Sequence, residues 1–259
     1  MREMDELLDV MRRLRAPDGC PWDRAQTHET LKECLIGEAA EYLDAVDRKD
    51  DAAMREELGD LLMQIVLNAV IAEERGAFTL QDVTREVTEK MIRRHPHVFA
   101  GEKAENVGQV LSLWEDVKKK EKDAEAFASV LSRVPHNLPA LLRAEKVQKK
   151  AAKTGFDWPS EEGVREKMYE EMRETREALE SGEPDRIADE LGDLLFTAVN
   201  LARFRGKESA EDMLHAATDK FIRRFQYVER RLNERGGEPG KASLSEMDEL
   251  WNEAKKNGL

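Results

Sequence analysis

An acidic and apolar segment occurs twice in the chain, and its residue types could bind a divalent cation. Glu57–Leu62 is repeated without change 133 residues later, at Glu190–Leu195. The repeated acidic positions are Glu38, Glu41, Glu57 and Asp60 in the first copy and Glu171, Glu174, Glu190 and Asp193 in the second. Carboxylate oxygens without His or Cys favour Mg²⁺ or Mn²⁺ over zinc or copper. We therefore expect a Mg²⁺ site in each copy, with Mn²⁺ as the alternative ion.

The spacing of these residues predicts helices. Glu38 and Glu41 are three residues apart, which puts their Cβ atoms roughly 5–6 Å apart on neighbouring helical turns. At about 100° per residue, the polar residues of the next helix fall in one stripe. In the first copy they are Glu57, Asp60, Gln64 and Asn68. The second copy has Glu190, Asp193 and Thr197 at the matching positions, with Asn200 nearby. Two carboxylates about 5 Å apart repel by about 3 kcal/mol at an effective dielectric of 20, so we expect a cation there. The alternative is an acidic face in contact with solvent.

The helix that contains Glu57 is predicted to lie at the centre of a bundle. Apolar residues, including Leu58 and Ile65, cover almost its whole circumference, as expected for a buried helix. Gly59 and Gly192 lie inside the two repeated segments, where glycine costs about 1 kcal/mol relative to alanine. We therefore expect a neighbouring element to approach closely at each glycine.

Composition excludes several classes of protein. The 259 residues carry a net charge of −13, which argues against general binding of nucleic acid. Two cysteines cannot supply a disulfide scaffold or a four-thiolate zinc site. No signal peptide is recognised at the N-terminus, and no apolar run reaches the roughly 18 residues of a membrane span. We expect a cytoplasmic protein that contacts neither membrane nor nucleic acid.

The duplication defines the predicted architecture, which is all-α, with two tandem helical-bundle domains. We assign residues 1–122 to the first domain, 123–138 to a linker and 139–259 to the second domain. The first helix of each copy is predicted at about residues 4–15 and 139–152. Thr79 with Asp82, and Ser209 with Asp212, resemble capping boxes and predict helix starts.

Basic residues recur at matching places in the two copies. They are Lys90, Arg93 and Arg94, then Lys220, Arg223 and Arg224. Spacings of three and four put each set on one helical face, where guanidinium groups suit phosphate oxygens. Taken alone, each set would be a basic helix end or a partner for nearby glutamates; beside the acidic positions, we expect phosphate contact. The sequence contains no P-loop, Rossmann, serine hydrolase or zincin motif.

Several motifs together make the chain resemble the MazG family of nucleoside triphosphate pyrophosphohydrolases over nearly its full length. They are Gly19–Asp23, Glu57–Leu62, Arg93–Phe99, Gly155–Trp158 and Glu190–Leu195. The family motif is Glu-Glu-x-x-Glu followed by Glu-x-x-Asp. The second copy has it complete, whereas the first has Gly37 in place of the leading glutamate, which puts its catalytic competence in doubt. The resemblance implies an all-α homodimer that uses Mg²⁺ to hydrolyse nucleoside triphosphates to monophosphate and pyrophosphate. It also implies that the second domain, residues 139–259, is the main catalytic one.

The resemblance also implies roles for individual residues. The metal ligands would be Glu171, Glu174, Glu190 and Asp193, with a second site at Glu38, Glu41, Glu57 and Asp60. These four second-copy carboxylates and Glu170 would be catalytic, and Glu170 or one of the four would take a proton from the attacking water. Substrate-binding residues would be Lys167, Tyr169, Glu170, Glu171, Arg186, Asp189, Glu190, Asp193, Lys220, Phe221, Arg223, Arg224 and Trp251. Arg186 and Asp189 occupy the turn before Glu190, and Trp251 could equally be a packing residue.

Two other functions fit the sequence. The first is a non-catalytic helical regulator that binds nucleotide or a protein partner, which Gly37 favours for the first copy. The second is a phosphohydrolase that releases orthophosphate. The identity of the leaving group would separate pyrophosphate release from orthophosphate release.

Overall fold

The described residues of the chain fold into α-helices. The structure is a computed structural model that describes residues 2–102, 104, 106–122, 129–132 and 134–259. Within these ranges there are twelve α-helices, one short 3₁₀ helix at Pro239–Lys241 and no β-strand. The prediction of an all-α fold is confirmed. None of the helices in the described ranges has both the length and the apolar character needed to cross a lipid bilayer.

The chain divides into two compact units, Met1–Glu125 and Ala126–Leu259. The helices of the first unit are α1 (Arg2–Arg15), α2 (Pro21–Ala25), α3 (Leu31–Arg48), α4 (Asp51–Glu74), α5 (Leu80–Arg94), α6 (Pro96–Phe99) and α7 (Val107–Lys122). Those of the second are α8 (Ala140–Ala152), α9 (Glu161–Ser181), α10 (Pro184–Arg205), α11 (Ala210–Glu234) and α12 (Leu244–Lys256). The division falls inside the predicted linker, of which residues 123–128 and 133 lie outside the described residues.

Capping boxes start one helix in each unit, as predicted. The Thr79 hydroxyl accepts a hydrogen bond from the backbone N–H of Asp82, and the Asp82 carboxylate accepts one from the backbone N–H of Thr79. Ser209 and Asp212 make the same reciprocal pair at the start of α11. Because each box satisfies donors that the first helical turn leaves unpaired, it fixes where α5 and α11 begin.

The first core lies between α1 and the second half of α4. Leu8 and Met11 of α1 pack with Val66 and Val70 of α4, and Leu31 closes the cluster from α3. Arg15 joins α1 to the end of α4, because its guanidinium donates two hydrogen bonds of 2.7 Å to the Glu74 carboxylate.

The prediction that α4 is buried around almost its whole circumference is wrong for one side of the stretch from Leu58 to Ile65. Leu58 is 50% exposed and Ile65 is 47% exposed, whereas Val66 is fully buried. Helix α4 packs mainly on α3, and the apolar cluster that it shares with α1 begins at Leu62. A strip of apolar side chains is therefore left uncovered within the unit.

The prediction of close neighbours at the helical glycines is also wrong. A Cβ atom built on Gly59 or Gly192 would meet no atom within 4 Å outside the helix itself. Both glycines lie on the exposed side of their helices. No packing contact within either unit therefore requires glycine at these positions.

The second core is built from α8, α10, α11 and α12. Val199 and Ala202 of α10 pack with Ala210 of α11, and Leu141 of α8 packs against them. A separate cluster of Val228, Leu232 and Leu250 joins α11 to α12. Helix α9 lies along α10 in an antiparallel pair, and this pair carries the acidic residues of the second copy.

Candidate metal centres

Three carboxylates of the second copy meet between α9 and α10. Glu171 and Glu174 come from α9 and Glu190 from α10, and one oxygen of each lies within 4.8 Å of the other two. The Thr175 hydroxyl donates a 3.3 Å hydrogen bond to the Glu190 carbonyl oxygen, which joins the two helices at this level. Oxygen atoms at this separation could share one divalent cation.

Glu171 is the most buried carboxylate of this group. Its side chain is 3% exposed, and its Oε1 atom contacts the Lys167 ammonium at 2.7 Å. Its Oε2 atom is buried and has no hydrogen-bond partner among the described residues. A buried carboxylate oxygen without a donor is costly, and a bound cation would satisfy it. The donor set therefore fits a hard divalent ion.

The electrostatics around Glu190 also favour a cation. Burial raises the pKa of Glu190, and the negative charge of Glu174 raises it further, while Arg186 acts in the opposite direction. A raised carboxyl pKa means that the ionised form is disfavoured by its surroundings. A positive ion between the carboxylates would remove this penalty.

Asp193 lies outside this group of three. It occupies the next turn of α10 after Glu190, but its side chain is exposed, and it does not come within 4.8 Å of all three glutamates. The structure thus brings together three of the four predicted ligands of the second copy. Glu190 lies close to the carboxylates of α9, whereas Asp193 is exposed on α10.

The first copy contains a group of carboxylates that is similar but not identical. Glu38 of α3 lies with Glu57 and Asp60 of α4, again within 4.8 Å of one another. Glu41 is exposed and falls outside the group. Burial raises the pKa of Glu57, followed in effect by the charges of Glu41 and Asp60. Each copy therefore brings carboxylates together from a corresponding pair of helices, α3 with α4 and α9 with α10. The predicted ligand that lies outside the group is Glu41 in the first copy and Asp193 in the second.

The residues that flank the second group occupy α9 and the start of α10. The Lys167 ammonium lies 2.7 Å from Glu170 Oε1 and the same distance from Glu171 Oε1. Tyr169 is 64% exposed and lines a surface recess with Arg165 and Arg205. The turn before Glu190 is helical: Arg186 and Asp189 are exposed residues of α10.

The predicted phosphate-binding segment lies on α11 beside an aromatic group. Phe221 contacts Trp251 of α12, with ring centroids 5.0 Å apart, and stacks on Phe225 at 6.2 Å. The Arg224 guanidinium lies over the Trp251 ring at 5.7 Å and donates a 2.7 Å hydrogen bond to the Leu259 carbonyl oxygen.

The other basic residues of this segment face solvent. Lys220 and Arg223 are exposed on α11. In the first unit, the corresponding segment places His95 in a stack with Trp114, with centroids 6.5 Å apart. Each copy thus combines a basic helix with a tryptophan contact.

Two buried polar residues on α8 were missed by the sequence analysis. Glu145 and Gln148 are each 6% exposed, and Glu145 Oε2 and Gln148 Oε1 have no hydrogen-bond partner among the described residues. The Gln148 amide donates a 2.8 Å hydrogen bond to the Phe196 carbonyl oxygen of α10. Aligning Leu7 and Leu8 with Leu141 and Leu142 would have revealed them, because Met11 and Leu14 of the first copy then match these positions.

Comparison with known proteins gives consistent matches over both copies. The family model described as the MazG nucleotide pyrophosphohydrolase domain matches residues 26–99 and 160–228, which contain the two carboxylate groups. Nucleoside triphosphate pyrophosphohydrolase/pyrophosphatase MazG of Thermotoga maritima is 44% identical over 97% of this chain and 95% of its own length. The nucleoside triphosphate pyrophosphohydrolase of Escherichia coli (strain K12) is 44% identical over 100% of this chain and 99% of its own.

A solved structure also matches part of the chain. The crystal structure of a mazG-related protein from Thermotoga maritima covers 44% of this chain and 98% of that chain, with 32% identity and a TM-score of 0.40. The family model covers more than half of the sequence, and the two relatives match it almost from end to end. On the match to the family model, the match to these two relatives and the duplicated carboxylate groups between paired helices, the chain belongs to the MazG family.

Proposed function

We propose that this protein is a Mg²⁺-dependent nucleoside triphosphate pyrophosphohydrolase. It would cleave the bond between the α- and β-phosphorus atoms of ribo- or deoxyribonucleoside triphosphates and release the monophosphate and pyrophosphate. Support for the reaction comes from the relatives, which carry that name and match the full chain at 44% identity. Support for the metal comes from the carboxylate groups.

One observation carries most of the proposal. Glu171 is buried inside the second copy, and one of its carboxylate oxygens has no hydrogen-bond partner among the described residues. Glu174 and Glu190 bring two more carboxylates to the same place. Such a concentration of negative charge is unfavourable in a folded protein unless a cation binds it.

In the second copy, some residues would bind the metal ion and others would bind the substrate. Glu171, Glu174 and Glu190 would hold the ion, with Asp193 completing the set from the next turn of α10. A bound divalent cation supplies Lewis-acid charge that stabilises phosphate oxygens during displacement. Glu170, or one of the four, would take the proton of the attacking water. The substrate-binding residues would be Tyr169, Arg186, Asp189, Lys220, Phe221, Arg223, Arg224 and Trp251. Lys167, which the resemblance groups with them, contacts Glu170 and Glu171.

A regulatory role is a second candidate for the first copy. It retains a group of three carboxylates at Glu38, Glu57 and Asp60, but Gly37 replaces the glutamate that leads the motif in the second copy. A copy that binds an ion or nucleotide without turnover would act as a regulator of the catalytic one.

We also propose that the protein is a homodimer. Helices α9 and α10 expose apolar side chains within the single chain: Met172 is 54% exposed, Leu179 57%, Leu191 42% and Leu195 61%. Several exposed large apolar side chains on one pair of helices are typical of a protein interface. A second copy of the chain seated on this face would cover it.

The leaving group provides the direct test. The full chain would be incubated with mixed triphosphates and Mg²⁺, and pyrophosphate and orthophosphate would be measured separately without added pyrophosphatase. We expect pyrophosphate and monophosphate in equal amounts, and no release after Glu171→Gln. Release of orthophosphate and a nucleoside diphosphate would instead support the phosphohydrolase alternative. Absence of hydrolysis for every triphosphate would support a non-catalytic regulator.

A further inference from the structure

Lys167 makes the closest cationic contact to the carboxylate group of the second copy among the described ion pairs. Its ammonium nitrogen lies 2.7 Å from Glu170 Oε1 and 2.7 Å from Glu171 Oε1. The Lys167 side chain is one-third exposed, whereas that of Glu171 is 3% exposed. One lysine thus bridges a solvent-accessible glutamate and the buried glutamate that follows it in α9.

The bridge uses only one of the two Glu171 oxygens. Oε1 accepts from Lys167, and Oε2 is the buried oxygen without a hydrogen-bond partner among the described residues. A glutamate side chain loses up to about 2 kcal/mol of rotamer entropy when it is fixed. A lysine that fixes Oε1 before the ion arrives leaves Oε2 oriented for binding, so less of this cost falls on the metal-binding step.

The first copy lacks two of the three residues that form this bridge, the lysine and the exposed glutamate. The repeat offset matches Cys34 to Lys167, Gly37 to Glu170 and Glu38 to Glu171. Glu38 still lies with Glu57 and Asp60. The chain therefore contains one carboxylate group with a lysine bridge and one in which the corresponding lysine and glutamate are replaced together.

We propose that Lys167 is a positioning residue, which orients Glu171 for the metal and Glu170 for proton transfer, and that turnover requires it while metal binding does not. This inference rests on the proposed pyrophosphohydrolase activity. It assigns Lys167 a role through Glu170 and Glu171 rather than through contact with the triphosphate. It also predicts that the first copy, without the bridge, binds an ion without efficient turnover.

Steady-state kinetics of Lys167→Met in the full chain distinguish the two roles. Misplacement of a reacting group by about 1 Å can cost 10²-fold in rate, so we expect kcat to fall by at least about tenfold. KM for the triphosphate should stay within about twofold. Lys167→Arg, which keeps a cation that can reach both carboxylates, should recover most of kcat. Mn²⁺ should still bind to Lys167→Met with the stoichiometry of the unchanged protein but with lower affinity, because Glu171 must then be fixed during metal binding.

A matched pair on the same helix serves as the control. Arg165 and Glu162 form an exposed ion pair three residues apart, with a 3.2 Å contact. Arg165→Met removes a comparable bond from α9 and should leave kcat and KM unchanged. Thermal unfolding of both variants would show whether loss of an ion pair alone destabilises the helix.

Three results would overturn the inference. An increase in KM with unchanged kcat would mean that Lys167 binds the triphosphate directly. Unchanged kcat and KM would mean that the bridge has no role in turnover. Loss of Mn²⁺ binding with Lys167→Met would make the bridge essential to the metal site itself. If the unchanged protein releases no pyrophosphate, the proposed function fails first, which separates that failure from failure of this inference.

Discussion

The Thr175 hydroxyl donates to the Glu190 carbonyl oxygen and so joins α9 to α10 beside the second carboxylate group. Thr175 is 7% exposed and lies one turn after Glu171 on α9. The bond therefore links the backbone of one candidate ligand to the helix that carries the other two. We therefore expect this hydrogen bond to fix the distance between Glu190 and the two carboxylates of α9.

Replacement of this threonine tests the link between helix spacing and metal affinity. Thr175→Val keeps the side-chain shape but removes the donor, and loss of one such bond costs about 1 kcal/mol of unfolding free energy. We expect weaker Mn²⁺ binding as well, measured by calorimetric titration. Thr218→Val is the control, because Thr218 makes an exposed hydrogen bond within α11. Equal Mn²⁺ affinity in both variants would show that Thr175 does not set the spacing.

The pair between Asp157 and Arg203 predicts a pH-dependent contribution to stability. Asp157 accepts a 3.0 Å hydrogen bond from Arg203, and this bond holds the pKa of the Asp157 carboxyl below its ordinary value. The stabilisation is present above the unfolded pKa of about 3.9 and is lost as pH falls through the lower folded pKa. We expect Asp157→Asn to lower the unfolding free energy by about 1 kcal/mol at pH 6, measured by urea titration.

The same titration at pH 3 checks the sign of this effect. The difference between the unchanged protein and Asp157→Asn should shrink there, because protonation removes the charge that the variant lacks. Glu177→Gln, on the exposed face of α9, should change little at either pH. If the difference in unfolding free energy between the unchanged protein and Asp157→Asn were larger at pH 3 than at pH 6, the predicted role of the Asp157–Arg203 pair would be contradicted.

The buried acceptors on α8 predict a stabilising double substitution. Glu145 and Gln148 occupy the places that Met11 and Leu14 fill in the first copy, and each has an unpartnered buried oxygen. Each unsatisfied oxygen costs about 1–3 kcal/mol, so Glu145→Met with Gln148→Leu should raise the unfolding free energy by about 1 kcal/mol or more. Thermal and urea unfolding measure this change in unfolding free energy. Lys146→Leu, which alters an exposed residue of α8, is the control. A clear loss of stability would mean that ordered water or a ligand satisfies these oxygens.

The apolar face of α9 and α10 predicts self-association. Leu195→Glu places a charge where a second copy would bury a leucine that is 61% exposed in the single chain. Burial of an unpaired charge is strongly unfavourable, so we expect the dimer to dissociate in light-scattering measurements at micromolar protein concentration. Leu244→Glu, at a position that is 80% exposed on α12, should leave the molar mass unchanged. A mass of one chain for the unchanged protein would contradict the dimer proposal.

The local features of the fold could be predicted from sequence because they depend on neighbouring residues. The capping boxes at Thr79 and Ser209 depend on residues three positions apart, and both were predicted correctly. The exposure of Leu58 could not be predicted, because it depends on which helices cover α4 and not on the pattern of α4 itself. Gly59 and Gly192 were misjudged for the same reason, since a mid-helix glycine does not show what lies beside it.

The candidate site was predictable in position but not in detail. The repeat register located the helices that hold Glu38 and Glu171, and the structure places two carboxylate groups there. It did not show that Glu41 and Asp193 would lie outside these groups, because that depends on how α3 and α9 are rotated against their partners. The Lys167 bridge was also not predicted, since an i, i+3 and i, i+4 pattern of this kind is frequent on charged helices.

Mn²⁺ titration of the full chain, followed by electron paramagnetic resonance, tests the metal sites most directly. We predict that Glu171→Gln loses the binding of the second carboxylate group, with affinity reduced about tenfold or more, while the group around Glu38 still binds. Glu166→Gln, which alters an exposed residue of α9, should titrate like the unchanged protein. Identical Mn²⁺ binding by Glu171→Gln and the unchanged protein would contradict the account.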